Sequence, residues 1–488
     1  MSPALILGCV GGYFALLLLI AWYTSRNAGN NAYFLGNKAS PWYAVAFGLI
    51  GDSLSGVTFI SVPGKVAADK FSYLQMVFGY VLGYVVIAEI LLPLYYKLNL
   101  TSIYGYLRQR FGPNSQKIGA VFFLLSRLLG AAARLFLAAN VFQLFVFDRW
   151  NVPFWLTVSV TIALILLYTY RGGIKTLVWT DTFQSTFLLL GVVLSIVAIA
   201  GQLDLGLGGL IKTVKDSAMS QTFFWDWRAT NYFWKQFLAG AFIAIAMTGL
   251  DQNMMQKNLS CRSLGAAKLN IYAFTGVMVL VNLFFVSLGV LLFQYAAAKG
   301  IEIPAKTDAL FPTLALTHLG AFAAMVFVVG LTAATFSSAD SVLTTLTTSF
   351  CLDILGMDDR QHLNDAQRTK LRHKVHVGFA VLLWLVILGF QAINSSAIID
   401  AIFTLASYTY GPLLGLFAFG LFAKAKAQDR WVPVVCCVAP LLCFVLQQNS
   451  AAWFHGYKLG FELLILNGLL TLAGLRLTRA KASATAVA

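Results

Sequence analysis

Three short segments of this 488-residue chain carry the oxygen chemistry that a small hard cation requires. Residues 51–58, GDSLSGVT, offer the hydroxyls of Ser55 and Thr58 and the backbone carbonyls that a glycine- and serine-rich helix frees where it unwinds. Residues 334–341, ATFSSADS, set Ser337, Ser338 and Ser341 on neighbouring helical positions and add the acid Asp340. The third contributor is Asp181, an uncompensated acid near the start of a long apolar run, preceded by a basic loop holding Arg171 and Lys175. An ionisable side chain at the centre of a membrane helix costs about 2.5–3.5 kcal/mol, so it usually marks a function. An acid at a helix N-terminus is alternatively stabilised by the dipole and headgroup water. Serine in an apolar helix mostly bonds its own i−4 carbonyl, but a run that is polar through a whole turn points to more than that.

The elements that must hold these groups are membrane helices. With 59% hydrophobic and 11% charged residues, and a mean hydropathy of +0.77, the chain is no ordinary soluble domain. Runs of about 20 apolar residues give about thirteen spans, the ninth (316–355) long enough to bend or continue into water. The net charge of +15 is distributed as a topology signal, with Lys and Arg collected in alternate loops, among them Lys257, Arg262 and Lys268. Positive-inside logic puts the N-terminus outside and the C-terminus in the cytoplasm. No basic residue precedes the first apolar run, so it reads as a retained span and not a cleaved leader. The six cysteines show no metal-ligand spacing and the five histidines no HExxH pattern.

The second and seventh spans stand out for their helix breakers. One contains GLIGDSLSGVTFISVPG (48–64), the other AGAFIAIAMTGLDQ (239–252). They lie five spans apart, as expected if spans two to six recur, inverted, as spans seven to eleven. Interrupted helices in corresponding positions of two halves point to a transporter binding site at the midplane. The chain is therefore read as one membrane domain over 1–488, with core repeats at about 41–202 and 232–422 and extra helices at about 3–24, 431–446 and 457–477.

Several motifs, in order along the chain, carry a resemblance: NAYFLGNKASPWYAVAFG, LNLTSIYGYLRQRFG, YRGGIKTLVWTDTFQ, LDQNMMQKNLSCRS, TFSSADS and SYTYGPLLGLFAFGLF. Together they resemble the sodium:solute symporter family. That resemblance implies an all-α membrane protein with a leucine-transporter-type 5+5 inverted repeat, working as a Na⁺-coupled importer of a small organic solute by alternating access. By similarity the main sodium site falls on the carbonyls of Gly51, Leu54 and Ala334 and the hydroxyls of Ser337 and Ser338. Gly51 stands where Ala is common, a change that a carbonyl ligand should tolerate. A second sodium site, found in some relatives, would fall on Ser55, Thr58, Asp181, Asp340 and Ser341. There Asp340 replaces a hydroxyl, and two carboxylates repel unless a cation or proton lies between them. One or two ions are thus implied.

The resemblance places the solute between the second, third, fourth, seventh and eleventh spans. Candidate lining groups are Ser55, Tyr73, Gln75, Glu89, Gln252 and Tyr410. Arg127 and Arg134 flank Gly130 on one face of the fourth span. Either can meet an anionic solute, or pair with Glu89 or Asp52. The expected setting is a bacterial cytoplasmic membrane, with lipid and solute as partners, no nucleic acid, and a monomeric state. A proton-coupled symporter, with Asp181 or Asp340 titrating, is the nearest alternative. A membrane enzyme using Asp353, Asp358 and Asp359 is a distant one, because no second acidic cluster or phosphate loop accompanies them.

Overall fold

Apolar runs that exceed the needs of a soluble core fold here into long helices. The computed structural model describes residues 3–26, 29–357, 359–360, 364–393, 398–425 and 427–479. In chain order the main helices are α1 (Pro3–Thr24), α2 (Trp42–Ser53), α3 (Gly56–Asp69), α4 (Tyr73–Lys97), α5 (Pro113–Phe142), α6 (Phe154–Tyr170), α7 (Gly173–Gln202) and α8 (Phe233–Gly249). They continue with α9 (Gln252–Leu259), α10 (Leu264–Lys299), α11 (Gly320–Ile354), α12 (Asp365–Gln391), α13 (Ile402–Phe422), α14 (Val432–Trp453) and α15 (Leu463–Leu477). Among the described residues nine helices are long and apolar enough to cross a membrane, and eleven if the two bent pairs each form one span. The expected count of about thirteen is reached only by adding the shorter apolar helices α6 and α15.

Both expected interruptions are present. Helices α2 and α3 meet at 55°, and α8 and α9 at 63°. A π-helical turn at Ile245–Gly249 ends α8, and another at Phe350–Ile354 closes the long α11. The basic loop expected at 171–175 is not a loop. Helices α6 and α7 join at one residue, Gly173, whose φ of 53° reverses the hand of the backbone locally. A Cβ there would lie 2.5 Å from the Tyr33 backbone, so glycine also permits that close approach.

Helix α11 forms the centre. Its Leu331 and Ala334 belong to the larger buried cluster with Ile50, Leu54 and Phe59. Its Phe336 and Leu343 pack in a second cluster with Phe14, Ile165 and Leu383. Packed on both sides, α11 holds its serines and threonines away from lipid. Large apolar side chains such as Leu82, Leu125, Leu190, Leu385 and Leu441 are exposed on the outer helix faces, as hydrocarbon contact requires.

Candidate functional site

The two helix breaks treat their freed carbonyls in opposite ways. At the first, Leu54 leaves the helical region with φ −98° and ψ 72°. Leu54 N–H still reaches the Ile50 carbonyl at 2.8 Å, but among the described residues neither Ser55 N–H closes on Gly51 nor Thr58 N–H on Leu54. At the second, protein donors cap the exposed carbonyls. Tyr95 OH donates to Gly249 at 2.8 Å, Tyr104 OH to Leu250 at 3.1 Å, and the Arg127 guanidinium to Met247 at 3.0 Å. One break is left with acceptors to offer; the other is sealed. Buried carbonyls without a donor are costly, so the first break can offer acceptors to a cation where the second cannot.

Helix α11 brings the remaining oxygens to that break. The Gly51 position faces Ser337 so closely that a Cβ would lie 2.4 Å from its Oγ and 2.7 Å from Ser185 Oγ. Gly51 N–H donates to Ser185 Oγ at 2.9 Å, which fixes the end of α2 against α7. Ser337 Oγ donates to Asp181 Oδ1 at 3.4 Å. Ser338 Oγ donates to the Thr335 carbonyl at 3.1 Å, with the Ala334 carbonyl at 3.5 Å. Gly51, Leu54, Ala334, Ser337 and Ser338 thus lie on two facing elements, and an all-oxygen donor set of carbonyls and hydroxyls fits Na⁺. Glycine at position 51, where alanine is common in relatives, leaves the carbonyl in place and spares a Cβ that would crowd the Ser337 and Ser185 hydroxyls.

The acid read as uncompensated has a partner that the sequence concealed. Lys257, expected in a cytoplasmic basic loop, is 0% exposed. Its Nζ donates to Asp181 Oδ2 at 2.5 Å, Asp52 Oδ2 at 2.5 Å and Ser341 Oγ at 2.7 Å. Asp340 turns elsewhere, accepting from Tyr168 OH at 2.8 Å and from the backbone N–H of Ser341 at 2.5 Å. Of the five residues expected at a second sodium site, Asp181 and Ser341 meet on the lysine, Asp340 engages Tyr168, and Ser55 and Thr58 line a cavity. The signal available in sequence was charge balance. Two acids on apolar helices required a cation, and Lys257 sits six residues after the second break.

That cavity, of about 80 Å³, lies where the solute was expected, between α2/α3, α4, α5, α8/α9, α10 and α13. Tyr73, Ser55, Thr58 and Arg134 line it. Tyr73 and Phe403 also line an adjoining void with Lys65 and Gln236, so these two rings separate the spaces. On the other side, Arg127 Nε donates to Asp251 Oδ2 at 2.6 Å, and Tyr410 OH donates to the same carboxylate. Asp251 caps α9 by accepting from Met254 N–H at 3.1 Å. Arg127 and Tyr410 are therefore committed to Asp251. Arg134 is buried with its Nε unpartnered, and among the described residues no carboxylate pairs with it.

Three expected lining residues work elsewhere. Gln75 pins the 221–231 loop, donating to the Asn231 carbonyl at 2.8 Å and accepting from Phe224 N–H at 3.2 Å. Gln252 grips the backbone of the 101–103 segment, accepting from Ile103 N–H at 2.9 Å and donating to the Thr101 carbonyl at 3.0 Å. Glu89 is on the outer surface of α4, bound to Lys268 at 2.6 Å and Tyr272 at 2.7 Å. Asp353 is held by Ser102, Gln116 and Ser349, and Asp359 by Arg108, while Asp358 lies outside the described residues.

Comparison with known proteins identifies the family and the fold. The sodium:solute symporter family profile matches residues 33–429. The sodium/sialic acid symporter SiaT of Proteus mirabilis is 25% identical over 472 residues, covering 94% of this chain and 93% of its own. The human sodium-coupled monocarboxylate transporter 1 is 26% identical over 436 residues, covering 84% and 68%. Among solved structures, a Na⁺-coupled sialic acid symporter in a substrate-bound outward-open state superposes with a TM-score of 0.83 at 22% identity, covering 97% of each chain. The nucleobase-cation symporter Mhp1 in a closed conformation gives 0.57 at 15% identity, covering 93% and 95%. The fold is the leucine-transporter type, and the chain belongs to the sodium:solute symporter family, as a sodium-coupled membrane transporter and not an enzyme.

Proposed function

We propose that this symporter imports a small carboxylate-bearing solute, with Na⁺ held by Gly51, Leu54, Ala334, Ser337 and Ser338 and the solute carboxylate held by Arg134. The observation that carries the reading is the guanidinium of Arg134, buried at the central cavity with an unsatisfied Nε. A buried cation without a partner is costly, and a planar guanidinium matches a carboxylate. Arg127 is excluded because Asp251 and Met247 occupy it. Several relatives are named for anionic solutes, sialic acid and monocarboxylates among them.

The cavity of about 80 Å³ is smaller than the pockets of about 300–1,000 Å³ that hold small ligands. Solute entry therefore requires Tyr73 and Phe403 to part on one side, and release requires the Arg127–Asp251–Tyr410 cluster to open on the other. Sodium drives this cycle only by preferring one state. Bridging the first break to α11, the ion favours the arrangement in which those elements meet. The paired breaks support a division into repeats at about 41–202 and 232–422, and basic-loop asymmetry supports an outside N-terminus and cytoplasmic C-terminus. We place the protein, as a monomer, in a bacterial inner membrane.

The test is thermal unfolding of the purified protein with sialic acids, monocarboxylates, carboxylate vitamins and neutral sugars, each in Na⁺ and in K⁺. A ligand at 100 Kd stabilises by about 2.7 kcal/mol. The expected result is a response to a carboxylate solute in Na⁺ alone, lost in Arg134→Ala. Equal response in both salts favours proton coupling, and stabilisation by a neutral sugar with Arg134→Ala unaffected overturns the anion reading.

A further inference from the structure

The residues expected to hold a second sodium ion do not converge on a common point. Both carboxylate oxygens of Asp340 are engaged, by Tyr168 and by the Ser341 backbone. Ser55 and Thr58 face the central cavity. Only Asp181 and Ser341 meet, and they meet on the ammonium of Lys257.

We propose that Lys257 Nζ fills the seat of the second cation, so that the protein binds and carries a single sodium ion, at the Gly51/Ser337 site. This rests on the sodium site assigned above. An ammonium carries the charge of Na⁺ and has three donors. Here those donors have three acceptors, on Asp52 of α2, Asp181 of α7 and Ser341 of α11. A bound ion would tie together these same three elements. The difference is that a tethered charge never leaves, so it adds nothing to the charge translocated. Two carboxylates and one ammonium leave one negative charge in the cluster. Asp181 presents its other oxygen, Oδ1, to Ser337 at 3.4 Å, so the remaining charge faces the main site. Among the groups that meet on Lys257, that balance provides for one cation at the main site, while Asp340 is held apart by Tyr168 and the Ser341 backbone.

The experiment is equilibrium binding of radioactive sodium to the purified full-length protein, without solute, for the wild type, Lys257→Arg and Lys257→Ala. One ion per chain is expected for the wild type and for Lys257→Arg. Lys257→Ala vacates the seat and doubles the count to two. Two ions on the wild type overturn the proposal while leaving the main site intact. No bound sodium on the wild type overturns the main site, and this proposal with it. A folded Lys257→Ala that still binds one ion shows that the lysine holds no cation seat. Where that variant does not fold, the wild-type count decides.

Discussion

Gly51 and Ser337 approach so closely across the first helix break that a methyl group on Gly51 would lie 2.4 Å from the serine hydroxyl oxygen. The contact joins the end of α2 to the middle of α11, the two elements that carry the candidate sodium ligands. Overpacking a tight site costs about 1–3 kcal/mol. Gly51→Ala should lower the unfolding temperature in sodium and weaken the sodium dependence of that temperature, since the methyl pushes apart the ligands' carriers. An unchanged sodium response would mean that the ion does not bridge these elements.

Ser337→Ala tests the same site without steric conflict. It removes one hydroxyl ligand and the bond to Asp181. Sodium-dependent uptake should vanish while expression is retained, and uptake that still depends on sodium would remove Ser337 from the site.

The fold was legible in the sequence because composition fixes the solvent and the breakers interrupt two otherwise apolar runs. The oxygen-rich segments at 51–58 and 334–341 were legible for the same reason: polar groups are conspicuous where lipid is the alternative. What stayed hidden was direction. Gln75, Glu89 and Gln252 sit in or beside apolar runs just as Arg134 does, yet one turns to a loop, one to the outer surface and one to a neighbouring backbone. Their partners lie more than a hundred residues away, beyond any local pattern. Lys257 was hidden differently, because a lysine just past a helix break looks the same as a topology signal until its burial is seen.

Arg127, Asp251 and Tyr410 should behave as a structural clamp on the second break. Asp251→Ala leaves the Arg127 guanidinium buried without its carboxylate, a loss of about 3–5 kcal/mol. Tyr410→Phe removes one hydrogen bond to a charged acceptor, worth about 1.5–3 kcal/mol. Thermal unfolding should rank them in that order. Sodium binding by Tyr410→Phe should match the wild type, because Tyr410 contacts none of the candidate sodium ligands. A changed sodium affinity in that variant would show that the clamp and the sodium site are coupled.

Lys257→Ala should make stability depend more strongly on sodium than it does in the wild type. Without the ammonium, Asp52 and Asp181 are buried together, and the loss of a buried partner costs about 3–5 kcal/mol. A sodium ion entering the vacated space recovers part of this by mass action. Unfolding temperature plotted against sodium concentration should therefore rise more steeply for the variant than for the wild type. Parallel curves would mean that no ion replaces the lysine.

Charge movement gives the most direct check on the whole cycle. One Na⁺ carried with a monocarboxylate moves no net charge, since Lys257 and Arg134 remain with the protein. Accumulation in proteoliposomes should then follow the sodium gradient alone, about tenfold for a tenfold gradient. Imposing 100 mV, negative inside, with potassium and valinomycin should leave the steady state unchanged. A second sodium ion would add one net positive charge per turnover, and 100 mV would contribute about 2.3 kcal/mol. That energy corresponds to about a 50-fold rise in accumulated solute, so the two stoichiometries are separated by a margin that a simple uptake assay resolves.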